Sequence, residues 1–499
     1  MPTASDLYGP DALRALEALA ADACGDAFEA MRRAGSAAYE VAARSWPGAQ
    51  RIVVICGPGN NGGDGYVLAL RALEQGRDAL VVRMPAHQPR PELASRACGE
   101  FLAAGGRVED FNGTLPVADL LVDALFGIGF SRVPGEDTAV LIDAINSHGA
   151  PVLALDVPSG VVAATGAVPG AAVEAGCTVE FIVAKAGLRT GAARDLVGGL
   201  ELASLSLDAT LLENVESAAE RLVPADLARW LRPRRRDSHK GRHGRVLLVG
   251  GDHGHGGAII LCAEAALRSG AGLVEVLTRE AHLPAVLARV PEAMVRAIPD
   301  AAQPVAAALS GHADVIAIGP GLGQDCWGRS LFEEVRASGT AMVLDADALN
   351  LLALSPCRLP SGTVLTPHPG EAGRLLRCTV ADVQADRFAS AAALVERYGA
   401  VVVLKGAGTI IAAPGRTPRL IDAGNPGMAV GGMGDLLTGA VAAMLGQGLE
   451  PFDAASAAAL LHSAAGDAAA AIDGQRGLLP TDLTSWLRRL SNPEFHPWT

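Results

Sequence analysis

The chain comprises 499 residues, half of them apolar and 19% charged, with a formal net charge of −13. This composition supplies core material for roughly two to four domains and excludes a disordered chain. The acidic balance argues against nucleic-acid binding or an anionic-membrane surface. None of the eight cysteines forms a C-x-x-C pair. The first 20 residues lack the basic start and apolar run of a signal peptide, and no uncharged apolar stretch is long enough to span a bilayer. Reduced thiols and a cytoplasmic location are therefore expected, with no membrane partner.

In chain order, residues 11–46 carry a helical pattern, with Leu13, Leu16, Leu19, Phe28 and Met31 on recurring faces. Strands are then predicted at 51–56, 79–82, 120–123, 152–156 and 178–183, with a helix over 66–75. The alternation predicts a Rossmann-like three-layer α/β/α domain with a mostly parallel sheet. The pattern turns polar and Ala-rich over 214–224, and Pro224-Ala225-Asp226 reads as a fresh helix start. A boundary near residue 220 follows, giving domains 1–220 and 221–499. The second α/β domain is expected to use strands at 246–249, 315–318, 342–344, 364–366 and 401–404, with helices over 259–269 and 436–445.

The loop Cys56-Gly57-Pro58-Gly59-Asn60-Asn61-Gly62-Gly63-Asp64-Gly65 formally satisfies G-x-G-x-x-G. The following strand ends at Arg83, where a dinucleotide dehydrogenase usually carries an acid for the ribose. Glycines that free backbone amides before a helix N-terminus still point to phosphate, against the alternative of a tight turn without a ligand.

This loop resembles the NAD(P)H-hydrate epimerase family. So do Val122-Asp123-Ala124-Leu125-Phe126-Gly127-Ile128-Gly129, then Ala154-Leu155-Asp156-Val157-Pro158-Ser159-Gly160, and the run from Phe181 to Leu188 with Lys185. Met31-Arg32-Arg33-Ala34-Gly35 is similar to a family helix, with Arg32 where the family has Glu. The resemblance implies that Asn60, Asn61, Gly62, Gly63 and Asp64, with Gly127, Ile128, Gly129, Phe130, Ser131, Arg132 and Val133, bind a hydrated dinucleotide. Asn61, Asp123 and Ser159 would supply oxygens to potassium. Asp156 would contact the nicotinamide and move a proton as C6 inverts. Each acid taken singly could instead cap a helix or turn.

The second domain carries Gly250-Gly251-Asp252-His253-Gly254-His255-Gly256-Gly257-Ala258, then Gly319-Pro320-Gly321-Leu322-Gly323 and Leu344-Asp345-Ala346-Asp347. Thr366-Pro367-His368-Pro369-Gly370-Glu371, Lys405-Gly406-Ala407-Gly408-Thr409 and Gly432-Met433-Gly434-Asp435 follow. Bare amides opening an apolar helix form an anion hole, and the adjacent carboxylate can take a proton from an attacking hydroxyl. A Walker A motif is absent. Asp252, His253 and His255 lack a further convincing ligand for zinc. The basic stretch 232–245 reads as a solvated linker in an acidic chain.

Together these motifs resemble the NAD(P)H-hydrate dehydratase family, which has a ribokinase-like α/β fold. The resemblance implies that Ala258, Gly321, His368 and Asp435 face the hydrated cofactor, with Asp435 catalytic. Lys405, Gly406, Ala407, Gly408, Thr409 and Gly434 would hold the adenine nucleotide. It further implies ADP as co-substrate, magnesium, and repair of NADHX and NADPHX with release of AMP and phosphate. Asp252-His253-Gly254-His255 departs from the commoner Ser and Tyr. Two rivals are a small-alcohol kinase with an accessory nucleotide-binding domain, and a nucleotide sensor without turnover. The oligomeric state stays open, a homo-oligomer included.

Overall fold

A computed structural model of the chain describes residues 6–23, 25–205, 212, 215–299 and 313–494. The chain divides into two compact units, Met1–Glu220 and Arg221–Thr499. Cys24, Asn214 and residues 300–312 lie outside the described residues.

Unit 1 is built on a seven-stranded sheet. Its strands are β2 (Arg51–Cys56), β3 (Asp78–Arg83), β4 (Arg107–Asp110), β5 (Leu120–Ala124), β6 (Val152–Leu155), β7 (Cys177–Phe181) and β8 (Gly199–Ala203). The order is β4-β3-β2-β5-β6-β7-β8, and every ladder is parallel. Parallel strands buried on both faces read as apolar runs, as residues 52–56 of β2 and 120–122 of β5 do. Alternate side chains feed separate cores. Ile52, Val54 and Cys56 enter one, while Val53 and Ile55 enter the other. The chain order reverses between β2 and β5, so the loops leaving these strands diverge and open a crevice. A short β1 (Asp6–Leu7) pairs antiparallel with residues 219–220 of β9 (Ala219–Leu222).

The structure refines one expectation in unit 1 and corrects two boundaries. The helical pattern over 11–46 resolves into two helices, Pro10–Ala23 and Ala27–Ser45. Gly25 adopts φ +71° between them, and Asp26 caps the second helix by accepting from Phe28 N at 2.9 Å. The helix expected from residue 66 begins at Asn60. The strand expected to reach 183 stops at Phe181, because Ile182 turns to φ +68°.

Unit 2 carries the spatial order β18-β17-β16-β15-β14-β13-β10-β11-β12. In chain order these are β10 (Arg245–Val249), β11 (Leu273–Thr278), β12 (Met294–Ala297), β13 (Val315–Ile318), β14 (Ala341–Leu344), β15 (Val364–Leu365), β16 (Val401–Leu404), β17 (Thr409–Ala412) and β18 (Arg419–Ile421). All pairings are parallel except β16–β17 and β17–β18. The sheet is thus mixed. Strands β11, β12, β17 and β18 were not anticipated from the sequence. Helices Gly256–Arg268, Met433–Gly446 and Pro451–Asp473 share one core, and Cys326–Ala337, Ala346–Leu354 and Arg387–Tyr398 share the other. The helix start at Pro224 yields only a short 3-10 turn, Pro224–Arg229. Among the described residues, no helix is long and apolar enough to cross a membrane.

Candidate active sites

In unit 1 the strand ends open into a cavity of about 770 Å³. Asn60, Asn61, Asp64, Asp156 and residues 127–132 line it, whereas Gly62, Gly63, Asp123, Val133 and Ser159 do not. The glycines have a packing reason independent of any ligand. A Cβ on Gly62 would lie 2.1 Å from Gly57 O, and one on Gly63 would lie 2.5 Å from the Met31 methyl. Glycine density in this loop is therefore weaker support for phosphate than the sequence suggested. The helix N-terminus at Asn60 is the feature that remains.

Beneath the cavity, Asp123 is fully buried at the end of β5. Ser159 Oγ donates to its Oδ1 at 2.6 Å and Ser159 N to its Oδ2 at 2.7 Å. Burial pushes the Asp123 carboxyl up to about 6 against these hydrogen bonds. Phe126 ties the set together: its N–H donates to Ser159 Oγ at 2.9 Å and its carbonyl accepts from Asn61 Nδ2 at 2.9 Å. That leaves Asn61 Oδ1 buried without a partner. A buried oxygen without a donor is costly unless something electropositive meets it.

Asp156 follows β6 with φ +66°, unusual for a residue with a side chain. Its N–H donates to Val179 O at 2.7 Å, and Phe181 N donates to Oδ1 at 3.2 Å. Lys185, 1% exposed, places Nζ 2.7 Å from the same oxygen. Its ammonium also donates to the carbonyls of Phe181 and Val183 at 3.1 and 3.2 Å. Arg189 pairs with the buried Glu180, whose Oε1 accepts from Lys185 N, and this fixes the turn. Phe126 stacks on Phe130 at 5.1 Å along the lining. Asp64 is raised well above the ordinary carboxylate range by burial, then by Asp156 and Glu17.

In unit 2 the loops after β10 and β13 interlock. Gly251 N donates to Pro320 O, and Asp252 N to Gly321 O. A Cβ on Gly321 would lie 3.3 Å from that of Ala258, so these two predicted residues adjoin. Asp252 is engaged by Arg279 at 2.8 Å, which itself lies over the Trp327 ring. Among the described residues, no three His, Cys, Asp or Glu side chains gather as metal ligands. Asp347 accepts from Gly323 N at 2.9 Å and clamps the second loop.

The charged centre is built around Asp345, 2% exposed at the end of β14. Its Oδ1 meets Lys405 Nζ at 2.7 Å and accepts from Thr366 Oγ1 at 2.8 Å, while Oδ2 accepts from Thr438 Oγ1 at 2.8 Å. Glu371 Oε2 lies 3.8 Å from the same ammonium. Burial alone would lower the Lys405 ammonium, but Asp345 and Glu371 outweigh it and hold it raised. Gly434 packs directly here, since an added Cβ would sit 3.3 Å from Lys405 Nζ. Asp435, in the first turn of helix Met433–Gly446, is pushed up to about 7 by burial and then by Asp345, against the pull of Lys405. His368 caps the helix Pro369–Leu376: its Nδ1 accepts from Gly370 N at 2.9 Å, which leaves Nε2 as the ring donor. Burial first, then Lys405, lowers its imidazole. Gly406 and Gly408 turn the 405–409 loop with φ of +130° and +68°, and Thr409 Oγ1 donates to Gly406 O.

Several of these participants went unassigned in the sequence. Lys185, Asp345 and Glu371 stood inside recognised motifs without a role. Arg387 gave no local signal. It is fully buried in a helix, and its guanidinium donates to the carbonyls of Leu404, Lys405 and Gly408 at 3.2–3.3 Å. His462 is similar, with a buried Nε2 lacking a hydrogen-bond partner and an imidazole pushed down to about 4 by burial and then Lys405.

Residues 28–187 match the family model described as YjeF-related protein N-terminus, and residues 246–489 match NAD(P)H-hydrate dehydratase. The chain is 48% identical over 486 residues to the bifunctional NAD(P)H-hydrate repair enzyme of Escherichia coli, covering 97% of this chain and 93% of the relative. It is 44% identical to the Coxiella burnetii enzyme of the same description, covering 98% and 99%. A ribokinase-like superfamily protein from Enterococcus faecalis, 33% identical, aligns with 56% of this chain and 98% of its own, at a TM-score of 0.51. With both halves matched in order along one chain, the protein belongs to the bifunctional NAD(P)H-hydrate repair enzymes.

Proposed function

We propose that unit 1 inverts C6 of hydrated NADH and NADPH, and that unit 2 uses ADP to dehydrate the S epimer, releasing AMP and phosphate. The observation that carries this reading is a lysine–carboxylate pair at the predicted catalytic acid of each unit: buried Lys185 on Asp156 itself, and half-buried Lys405 on Asp345 next to Asp435.

In unit 1, Asn60, Asn61, Asp64 and residues 127–132 hold the dinucleotide, the amides at the Asn60 helix start meeting its phosphates. Asn61, Asp123 and Ser159 suit potassium: all three offer hard oxygens, and the orphaned Asn61 Oδ1 is the position such an ion would satisfy. A bound cation would hold the Phe126–Gly127 turn against the nicotinamide end. Asp156 takes the proton of the C6 hydroxyl. The C6–N1 bond then opens to an aldehyde, rotation about C5–C6 presents the other face, and reclosure inverts the centre.

In unit 2, Ala258, Gly321 and His368 face the hydrated ring, while Lys405, Gly406, Ala407, Gly408, Thr409 and Gly434 hold ADP. Magnesium bound with ADP would supply positive charge to its phosphates. Asp435 removes the hydroxyl proton as oxygen attacks the β-phosphorus and AMP departs. The amides opening helix Met433–Gly446 and the Lys405 ammonium offset the negative charge that develops. The N1 lone pair then expels phosphate from C6 while C5 loses a proton, which restores the dihydronicotinamide.

The test is recovery of NADH absorbance from mixed NADHX epimers with potassium, magnesium and ADP, against ATP and no nucleotide. Complete ADP-dependent recovery is expected. Asp156→Ala should leave one epimer unconsumed, and Asp435→Ala should stop dehydration. A stable phosphorylated product with no NADH would overturn the reading in favour of a small-alcohol kinase.

A further inference from the structure

The helix Pro10–Ala23 contributes Leu13, Leu16, Glu17 and Ala20 to the lining of the unit 1 cavity. It is anchored there by the segment preceding it. Tyr8 forms a parallel bridge with Lys185, its N–H donating to Ala184 O at 3.0 Å and its carbonyl accepting from Ala186 N at 3.2 Å. The helix is thus tied by backbone to the turn that carries the Lys185–Asp156 pair. Leu13 and Leu16 are buried. Glu17, an exposed residue, is the carboxylate that this helix contributes to the cavity lining.

We propose that Glu17 is a second acid–base residue of the epimerase site, giving a proton to ring nitrogen N1 while Asp156 takes one from the C6 hydroxyl. The proposal rests on the epimerase reading above and adds a group to it. Ring opening needs two proton sites. The O–H proton moves to the Asp156 carboxylate, the C6–N1 electrons go to N1, and N1 takes the Glu17 proton, leaving an aldehyde and an N–H. Reclosure on the other face reverses both transfers, so nothing is consumed and both carboxyls return to their starting states.

The surroundings divide these two roles. Lys185 is the ammonium paired with Asp156, and its remaining donors are taken by the carbonyls of Phe181 and Val183. Glu17 therefore shares the cavity with Asp64 and Asp156 while the lysine is committed elsewhere. Desolvation first, then the charge of Asp156, raises its carboxyl to about 7 against the opposing pull of Lys185 and of Arg14 on its own helix. It faces Asp64 on the helix after β2, Asp156 after β6 and Lys185 after β7. Asp156 sits against the Lys185 ammonium while Glu17 carries the raised carboxyl, so one site can offer a base and an acid together.

The experiment follows interconversion of a single NADHX epimer by the full chain, with wild type, Glu17→Gln, Glu17→Asp and Asp156→Asn compared across pH 5.5–8.5. Glu17→Gln should lower kcat about 100-fold with KM nearly unchanged, and should remove a limb of the pH profile near 7. Glu17→Asp keeps the carboxyl one carbon back and should recover part of the rate, which a collapsed cavity would not allow. A Glu17→Gln variant with kcat within about threefold of wild type and an unaltered profile overturns the proposal, as does a rise in KM alone. If Asp156→Asn is inert while Glu17→Gln is normal, only the role of Glu17 falls. If wild type fails to interconvert the epimers, the epimerase reading falls with it.

Discussion

Replacing Asp435 with Asn tests whether unit 2 keeps its proposed base out of water. The carboxyl rises from 3.8 to about 7, by desolvation first and then by Asp345. In the unfolded chain it ionises near 4, so between pH 4 and 7 the unfolded state sheds a proton that the folded state retains. Stability therefore falls as pH rises through that window and levels off above 7. About three pKa units correspond to about 4 kcal/mol at full strength, and partial hydration of the site reduces this to about 2 kcal/mol. Asn lacks the titration, so its stability relative to wild type should improve with pH. Between pH 5 and pH 8 the gain should be about 1–2 kcal/mol, or about 2–4 °C in Tm for a unit of this size. Thermal unfolding of both proteins at the two pH values measures it, with dehydration followed in parallel. Wild-type dehydration should climb through pH 7 as Asp435 ionises, and the variant should be inactive throughout. A variant whose relative Tm is flat or falls with pH would refute the argument, because the site would then not be withholding ionisation.

Lys405→Met strands the Asp345 carboxylate with only the Thr366 and Thr438 hydroxyls, and should cost about 3–5 kcal/mol by denaturant unfolding. Adding Asp345→Asn should restore most of that stability while ADP-dependent dehydration stays lost. Arg387→Met frees three carbonyls of the 404–408 segment, and should raise the KM for ADP about tenfold with a smaller fall in kcat. Asn61→Ala removes the orphaned oxygen, so epimerisation that is faster in potassium chloride than in N-methylglucamine chloride for wild type should become indifferent to the cation.

How much of this was legible follows from where each signal lies. Strands such as β2, β5, β13 and β16 are buried along nearly their whole length, so they show as short apolar runs. The outer strands β4 and β12 carry exposed charged residues and blend into the loops around them. Motif residues were legible because glycine, proline and acid clusters are local. Their partners were not. The Lys405–Asp345 pair joins residues 60 apart, and Thr438 reaches Asp345 across 93. Glu17 sits on an ordinary helical repeat, and that helix reaches the cavity through the distant Tyr8–Lys185 bridge and the packing of Leu13 and Leu16 with Val183.

These distant partners bear on a difficulty visible in the composition. A chain with net charge −13 must admit anionic dinucleotides and ADP. Both sites concentrate acids, which should worsen the repulsion. In each, however, a lysine is committed to one buried carboxylate, and the surplus acids are raised: Glu17 and Asp64 beside Asp156, and Glu371 and Asp435 beside Asp345. A raised carboxyl is neutral for more of the physiological range, so it holds a proton for chemistry and withholds a charge from the approaching phosphates. The acidity of the whole and the anionic substrate of each site are then compatible. The same proximity of acids that tunes the chemistry also quiets the field at the cavity mouth.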